Sequence, residues 1–187
     1  MEKIIDISEN NGDIDFSKLK DAGINGVIIR IGWIGNKNNH TLDKRFIEYY
    51  NKAKNHGLKV GFYVFSYCIS LDAMKNATEW VKNKLIGKAF ELPVFLDLED
   101  DARSGTVISK CGKENLTEQA LYFCNNLYNS GLEVGVYANK DWFNRLIDIN
   151  KLLNFKIWFA EWGVENPSVN YRVDFWQYTS DGHLPRN

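Results

Sequence analysis

The sequence predicts an α/β barrel in a single domain, built from five serial βα units and a few short closing strands. Three observations carry that expectation. Apolar runs of strand length alternate with amphipathic stretches of helical period along most of the chain. Beyond Ile157 the helices stop and short strands follow one another. No glycine-rich phosphate turn follows the first strand, where a doubly wound open sheet would more often carry one. The 187 residues, 44% of them hydrophobic, suffice for one sizeable core, and no Pro/Gly/Ser-rich linker divides them. A full eight-helix barrel takes about 250 residues, so some helices must be missing.

Each element has a local cause. Lys3 to Ser8 reads as the first strand, ending in Asp6-Ile7-Ser8. The polar turn Glu9-Asn10-Asn11-Gly12 then leads into a short helix over Phe16 to Ala22, closed by Gly23. Gly26 to Trp33 is apolar enough for a buried strand, and Leu42 to His56 follows as an amphipathic helix stopped at Gly57. The alternation repeats as strand Lys59 to Tyr67, helix Asp72 to Leu85, strand Leu92 to Leu98 and helix Leu116 to Asn129, with Gly131 behind it. A fifth strand at Glu133 to Ala138, a helical stretch near Trp142 to Ile149 and a sixth strand at Ile157 to Ala160 come next. A segment with Pro167 leads to the last strand, Val173 to Tyr178. Right-handed crossovers turn such serial units into a parallel sheet.

The chemistry concentrates in the fourth strand, where Leu92-Pro93-Val94-Phe95-Leu96-Asp97-Leu98-Glu99-Asp100-Asp101 climbs from an apolar run into four carboxylates. Side chains alternate along a strand, so Phe95, Asp97 and Glu99 share one face, and the Cβ atoms of the two acids lie roughly 6 to 7 Å apart. Each charge raises the other's cost of ionisation, which lets one carboxyl stay protonated near neutrality. Acid/base work on a glycosidic bond needs such a pair, an acid for the leaving oxygen and a carboxylate for the cationic side. Asp100 and Asp101 read as solvated turn or helix-cap residues. Asp97, inside the apolar run, needs a purpose or a partner.

On a closed parallel barrel the C-terminal strand ends form one rim. Asp6 from the first strand, Asp97 and Glu99 from the fourth and Asp174 from the last are expected to point at it. Tyr63, Tyr67, Tyr137 and Trp162 are expected to surround that mouth with aromatic faces, each being equally at home in a core; Trp80 and Trp158 read as core. Arg30 is either a substrate contact or the buried partner of a carboxylate.

Composition removes several function classes. A net charge of −1 with interspersed Lys, Arg, Asp and Glu gives no basic stripe for a phosphate backbone, so nucleic acid is not an expected partner. No run of 18 apolar residues occurs and the N-terminus lacks an apolar signal core, so neither a membrane partner nor a signal peptide is expected. Cys68, Cys111 and Cys124 lack C-x-x-C spacing and read as reduced. His40, His56 and His183 are scattered, and no metal or other cofactor is expected. Gly32-Trp33-Ile34-Gly35 reads as a turn without cofactor meaning. The aromatic content of 14% is compatible with stacking surfaces for sugars.

Taken together, Asp6-Ile7-Ser8, Gly61-Phe62-Tyr63, Leu92 to Glu99, Gly135-Val136-Tyr137-Ala138-Asn139, Trp158-Phe159-Ala160 and Asp174-Phe175-Trp176-Gln177-Tyr178-Thr179 resemble the glycoside hydrolase family 25 lysozymes, the Chalaropsis-type muramidases of phage endolysins and bacterial autolysins. The match covers nearly the whole chain. The resemblance implies an irregular, TIM-like (β/α)5β3 barrel that cleaves the β-1,4 bond between N-acetylmuramic acid and N-acetylglucosamine. It makes Glu99 the acid/base and Asp97 the carboxylate that orients or stabilises, with Asp6 and Asp174 completing the cleft. Two departures stand out: Val64 occupies a position where many members carry His, and Pro185-Arg186-Asn187 falls short of a closing Val-Asp-x-Asn segment. The implied partner is the glycan strand of bacterial peptidoglycan. The expectation is an isolated catalytic domain, its wall-binding module outside this chain, that reaches the wall by holin-dependent release or from outside. Two other readings compete: a non-catalytic glycan-binding barrel, which has no need of the Asp97/Glu99 pair, and a zinc amidase, for which the ligands are lacking.

Overall fold

The computed structural model describes residues 2–101, 105 and 107–182. In chain order its strands are β1 (Ile4–Ile7), β2 (Gly26–Ile34), β3 (Thr41–Leu42), β4 (Lys59–Ser66), β5 (Val94–Asp97), β6 (Val134–Asn139), β7 (Lys156–Ala160) and β8 (Phe175–Gln177). The helices are α1 (Phe16–Asp21), α2 (Phe46–Asn55), α3 (Leu71–Leu85) and α4 (Lys113–Asn129). Seven strands form one curled sheet in the order β1-β2-β4-β5-β6-β7-β8, every neighbouring pair parallel, as serial βα units require. The expected barrel-like α/β fold is therefore present. The fifth helix has shrunk to a single wide turn at Trp142–Leu146, which is where the chain saves length against a full barrel.

Period-two alternation sorts the strand residues into two layers. Val27, Ile29, Val60, Phe62, Val94, Leu96, Val136, Ile157 and Phe159 face the helices and join one large buried cluster with them. Val64 belongs to that layer, so this position faces the helices and not the mouth. On the concave side Ile28, Phe95, Tyr137 and Trp158 form a second cluster with Tyr63 and Phe175 against it. Trp158 sits at its centre, with ring centroids 4.6 Å from Tyr137, 5.1 Å from Phe95 and 6.1 Å from Tyr63, all edge-on. Such contacts add about 0.5–1.5 kcal/mol each to the burial of the rings. The half-barrel is thus filled from below by an aromatic floor.

Two expectations need correction. The helix foreseen from Leu42 begins at Phe46, because Thr41 and Leu42 pair antiparallel with Trp33 and Gly32 at the outer end of β2. Helical periodicity cannot reveal a strand recruited from outside its own window. β2 also slips register between Arg30 and Gly32, so Ile31 is an extra residue opposite β4. Gly32 has φ +153°, and a Cβ there would lie 1.9 Å from the carbonyl oxygen of Thr41. Gly32→Ala is therefore expected to destabilise the protein by about 2 kcal/mol or more, read as a lower urea midpoint at unchanged slope. An unchanged midpoint would mean that β3 yields without cost.

The second correction concerns closure. Among the described residues no backbone ladder joins β8 to β1; the seam is bridged by side chains, Gln177 Nε2 donating to Asp6 Oδ2 at 3.1 Å. The terminal Pro185-Arg186-Asn187 and His183 lie outside the described residues. Among the described residues no helix is long and apolar enough to cross a membrane.

Candidate active site

The curl brings the ends of β1 and β5 to one mouth above the aromatic floor. Asp97 is the last residue of β5 and only 4% exposed, opposite Phe65 of β4 and Tyr137 of β6. Its Oδ1 atom is buried and meets no donor among the described residues. Burial raises its carboxyl well above the ordinary range; Glu99 and then Asp6 push the same way, and Arg30 opposes them. Glu99 lies two residues on, half-buried, and is raised first by burial and then by Asp101 and Asp6. Asp6 is also raised by burial, against the hydrogen bond from Gln177. Three carboxyls so placed cannot all ionise cheaply, so the mouth retains a proton that isolated acids would have released.

Arg30 is the buried partner of a carboxylate, Asp43, and not a substrate contact at the mouth. It is 5% exposed, its Nε donates to Asp43 Oδ2 at 2.8 Å, and its guanidinium carbon lies 4.0 Å from the Trp33 ring centroid. The extra residue Ile31 is what brings Arg30 and Trp33 to the same face. Asp43, itself buried, also accepts from the backbone N–H of Glu9 at 3.0 Å and of Arg45 at 2.9 Å. Nη2 of Arg30 is buried without an acceptor among the described residues, and the cation acts on Asp97 through space. Its role is to hold positive charge beneath the acids.

The aromatic residues divide. Tyr63 and Tyr137 stand among the acids: burial raises both hydroxyls, Tyr63 also feeling Asp6 and Asp97, and Tyr137 all three carboxyls. Tyr67 is at the rim, its hydroxyl donating to Asp101 Oδ2 at 2.8 Å, so Asp101 is tied into the site and is more than a solvated turn. Asp100 is exposed and accepts from the backbone N–H and the hydroxyl of Ser109. Trp162, 54% exposed, offers an open face beside the mouth, with Nε1 donating to Gln177 Oε1 at 3.3 Å. Trp158 is 5% exposed in the floor.

Asp174 does not reach the mouth. It precedes β8, its N–H donating to the carbonyl of Ile157 near the start of β7, so in a parallel pair it sits at the opposite end of the strand. There its Oδ2 accepts from the Ile157 N–H at 2.9 Å and from Arg172 Nε at 3.0 Å, and Lys156 Nζ is 3.7 Å from Oδ1. The apolar run Val173 to Tyr178 places an acid inside a strand pattern but does not mark where pairing begins. Gln177, at the true C-terminal end of β8, stands where Asp174 was expected. Its signal was present: Phe175 and Gln177 share a face, as Phe95 and Asp97 do.

Comparison with known proteins shows the family and the fold. A sequence model described as glycosyl hydrolases family 25 matches residues 5–186. An autolytic lysozyme of Clostridium acetobutylicum is 27% identical over 182 residues, covering 97% of this chain and 52% of that protein. Lysozyme M1 of Streptomyces globisporus is 24% identical over 190 residues, covering 96% of this chain and 62% of the relative. The chain thus spans about half to two thirds of the length of these relatives. Among solved structures, the CTP1L endolysin superposes with a TM-score of 0.81 at 25% identity, over 98% of this chain and 62% of that one.

Proposed function

Because the chain belongs to the glycosyl hydrolases of family 25, we propose that it is a peptidoglycan hydrolase, a lysozyme that cleaves the β-1,4 bond between N-acetylmuramic acid and N-acetylglucosamine. Asp6, Asp97 and Glu99 converge on one mouth over an aromatic floor, and this convergence is the observation that carries the reading. The relatives described as lysozymes support the same activity.

Glu99 is the acid that meets the glycosidic oxygen, because it is the more exposed member of the pair and stands at the rim. Its burial and negative neighbours keep a proton available, and that proton passes to the leaving oxygen as the glycosidic bond breaks. Asp97 is 4% exposed, and its Oδ1, which meets no donor among the described residues, suits the N–H of a 2-acetamido group on a substrate pressed against the mouth. Orienting that group lets its carbonyl oxygen attack the anomeric carbon, giving an oxazolinium whose positive charge Asp97 and Asp6 face. Glu99, now a carboxylate, takes a proton from the water that opens the ring. The anomeric configuration is retained by two inversions. Trp162 provides a stacking face for a neighbouring sugar.

The test is product analysis. Digestion of purified peptidoglycan, followed by borohydride reduction and mass spectrometry, is expected to yield new muramitol ends. Glucosaminitol ends would assign a different sugar bond. Release of stem peptides without new reducing ends would assign an amidase, and an unaltered wall that retains bound protein would assign a glycan-binding module.

A further inference from the structure

Gln177 is held by three polar contacts at once. Its Oε1 accepts from Tyr137 Oη at 3.0 Å and from Trp162 Nε1 at 3.3 Å, and its Nε2 donates to Asp6 Oδ2 at 3.1 Å. The chemistry of the partners fixes which way the amide points. An indole N–H can only donate, so the amide oxygen must face Trp162 and the amide NH2 must face Asp6. A donor aimed at Asp6 Oδ2 makes that oxygen an acceptor and favours the ionised carboxylate.

We propose that Gln177 is a positioning residue for the acidic mouth: oriented by Tyr137 and Trp162, its amide donates to Asp6 and eases its ionisation relative to Asp97, whose Oδ1 meets no donor among the described residues, so that the retained proton is biased towards Asp97 and Glu99. The proposal rests on the lysozyme reading for its catalytic meaning but not for its geometry. The groups around Asp6 are consistent with it. Arg30 on β2 is committed to Asp43 by its Nε. Tyr63 on β4 and Tyr137 on β6 are neutral phenols whose hydroxyls burial pushes upward. Asp97 at the end of β5 and Glu99 two residues beyond it are the two acids that Asp6 raises. Beyond β7, Glu161 is neutralised by Lys140 at 2.8 Å and held by Ser168, which leaves Gln177 as the uncharged partner on the β8 side. The same amide touches the open Trp162 platform, so a sugar settling on that face contacts the group that orients Asp6.

The experiment compares the parent with Gln177→Met, which keeps length without a donor, and Gln177→Glu, which sets a second carboxyl against Asp6. Carbon-13 NMR titration of labelled aspartates in the free protein follows Asp6 directly, and the pH profile of kcat/KM on purified wall is recorded alongside. Without the donor Asp6 binds its proton more tightly. Its titration and the acid limb of the profile are therefore expected to move to higher pH by at least about half a pH unit in Gln177→Met, and further in Gln177→Glu, where two adjacent carboxyls share a proton. A residue that only packs the seam would lower the rate at every pH and leave Asp6 titrating as in the parent; that outcome in Gln177→Met overturns the proposal, whatever Gln177→Glu shows. If Gln177→Met does not fold, Gln177→Leu, which also removes the donor without adding charge, decides in its place. A parent that cleaves no glycan bond would defeat the lysozyme reading, while the NMR titration would still judge the role of Gln177.

Discussion

Glu99→Gln is expected to lose about 10²- to 10⁴-fold in the rate of wall cleavage, equivalent to about 3–5 kcal/mol of barrier, while the fold is kept. The amide fills the same space at the end of β5 and still forms hydrogen bonds, but it has no proton to give to a leaving oxygen. Lysis by purified variant and parent at equal concentration measures the loss, and circular dichroism checks the fold. A rate within tenfold of the parent would move the acid role to another residue. The variant also carries one negative charge fewer, so the remaining carboxyl, Asp97, should titrate at lower pH than in the parent, because Glu99 is among the groups that raise it.

Asp97→Asn is expected to be nearly as severe, and it separates chemistry from stability. In the free enzyme the alkaline limb of kcat/KM reports loss of the proton shared with Glu99. Removing the neighbouring carboxyl removes a charge that raises that step, so the limb moves to lower pH. Stability changes in the opposite sense. Asp97 has a folded value well above its ordinary 3.8, so its favourable contribution is complete below that pH and is lost as pH rises towards the folded value. An asparagine does not suffer that loss. The variant should unfold at higher urea than the parent at pH 7, and the difference should shrink towards pH 4. A parent that is the more stable of the two at pH 7 would show that Asp97 is paid for by contacts not yet recognised, and an unmoved alkaline limb would show that the two acids do not share a proton.

The sequence made β5 and its acids legible because everything needed lies within ten residues: an apolar run, a period of two and carboxylates at its end. Tyr63 and Tyr137 could be placed by the same alternation. What remained hidden depends on pairings made at a distance. The buried partner of Arg30 is Asp43, which a local helical pattern absorbed into α2; only the antiparallel pairing of Thr41 and Leu42 with β2 brings it beneath the mouth. Asp174 was misplaced because an alternating pattern fixes the face of a residue but not its height along a parallel sheet, and height is set by register with β7. Gln177 carried no charge to draw attention, although it completes the acidic group more closely than Asp174 does.

The side-chain bridge across the seam joins residues 171 positions apart. Closing a flexible loop of that length costs about 4.5 kcal/mol in chain entropy, whereas one net hydrogen bond returns only about 1 kcal/mol. Contact between β1 and β8 therefore cannot lead the folding reaction; it has to wait until the intervening strands have curled and brought the two edges within reach. Both edge strands are short, Ile4–Ile7 and Phe175–Gln177, so they dock late and release early. The mouth, whose acids come from β1 and β5 and whose Gln177 amide comes from β8, is therefore completed in the last folding step. A nascent or partly unfolded chain then has a sheet with its acids but lacks the amide that meets Asp6 across the seam.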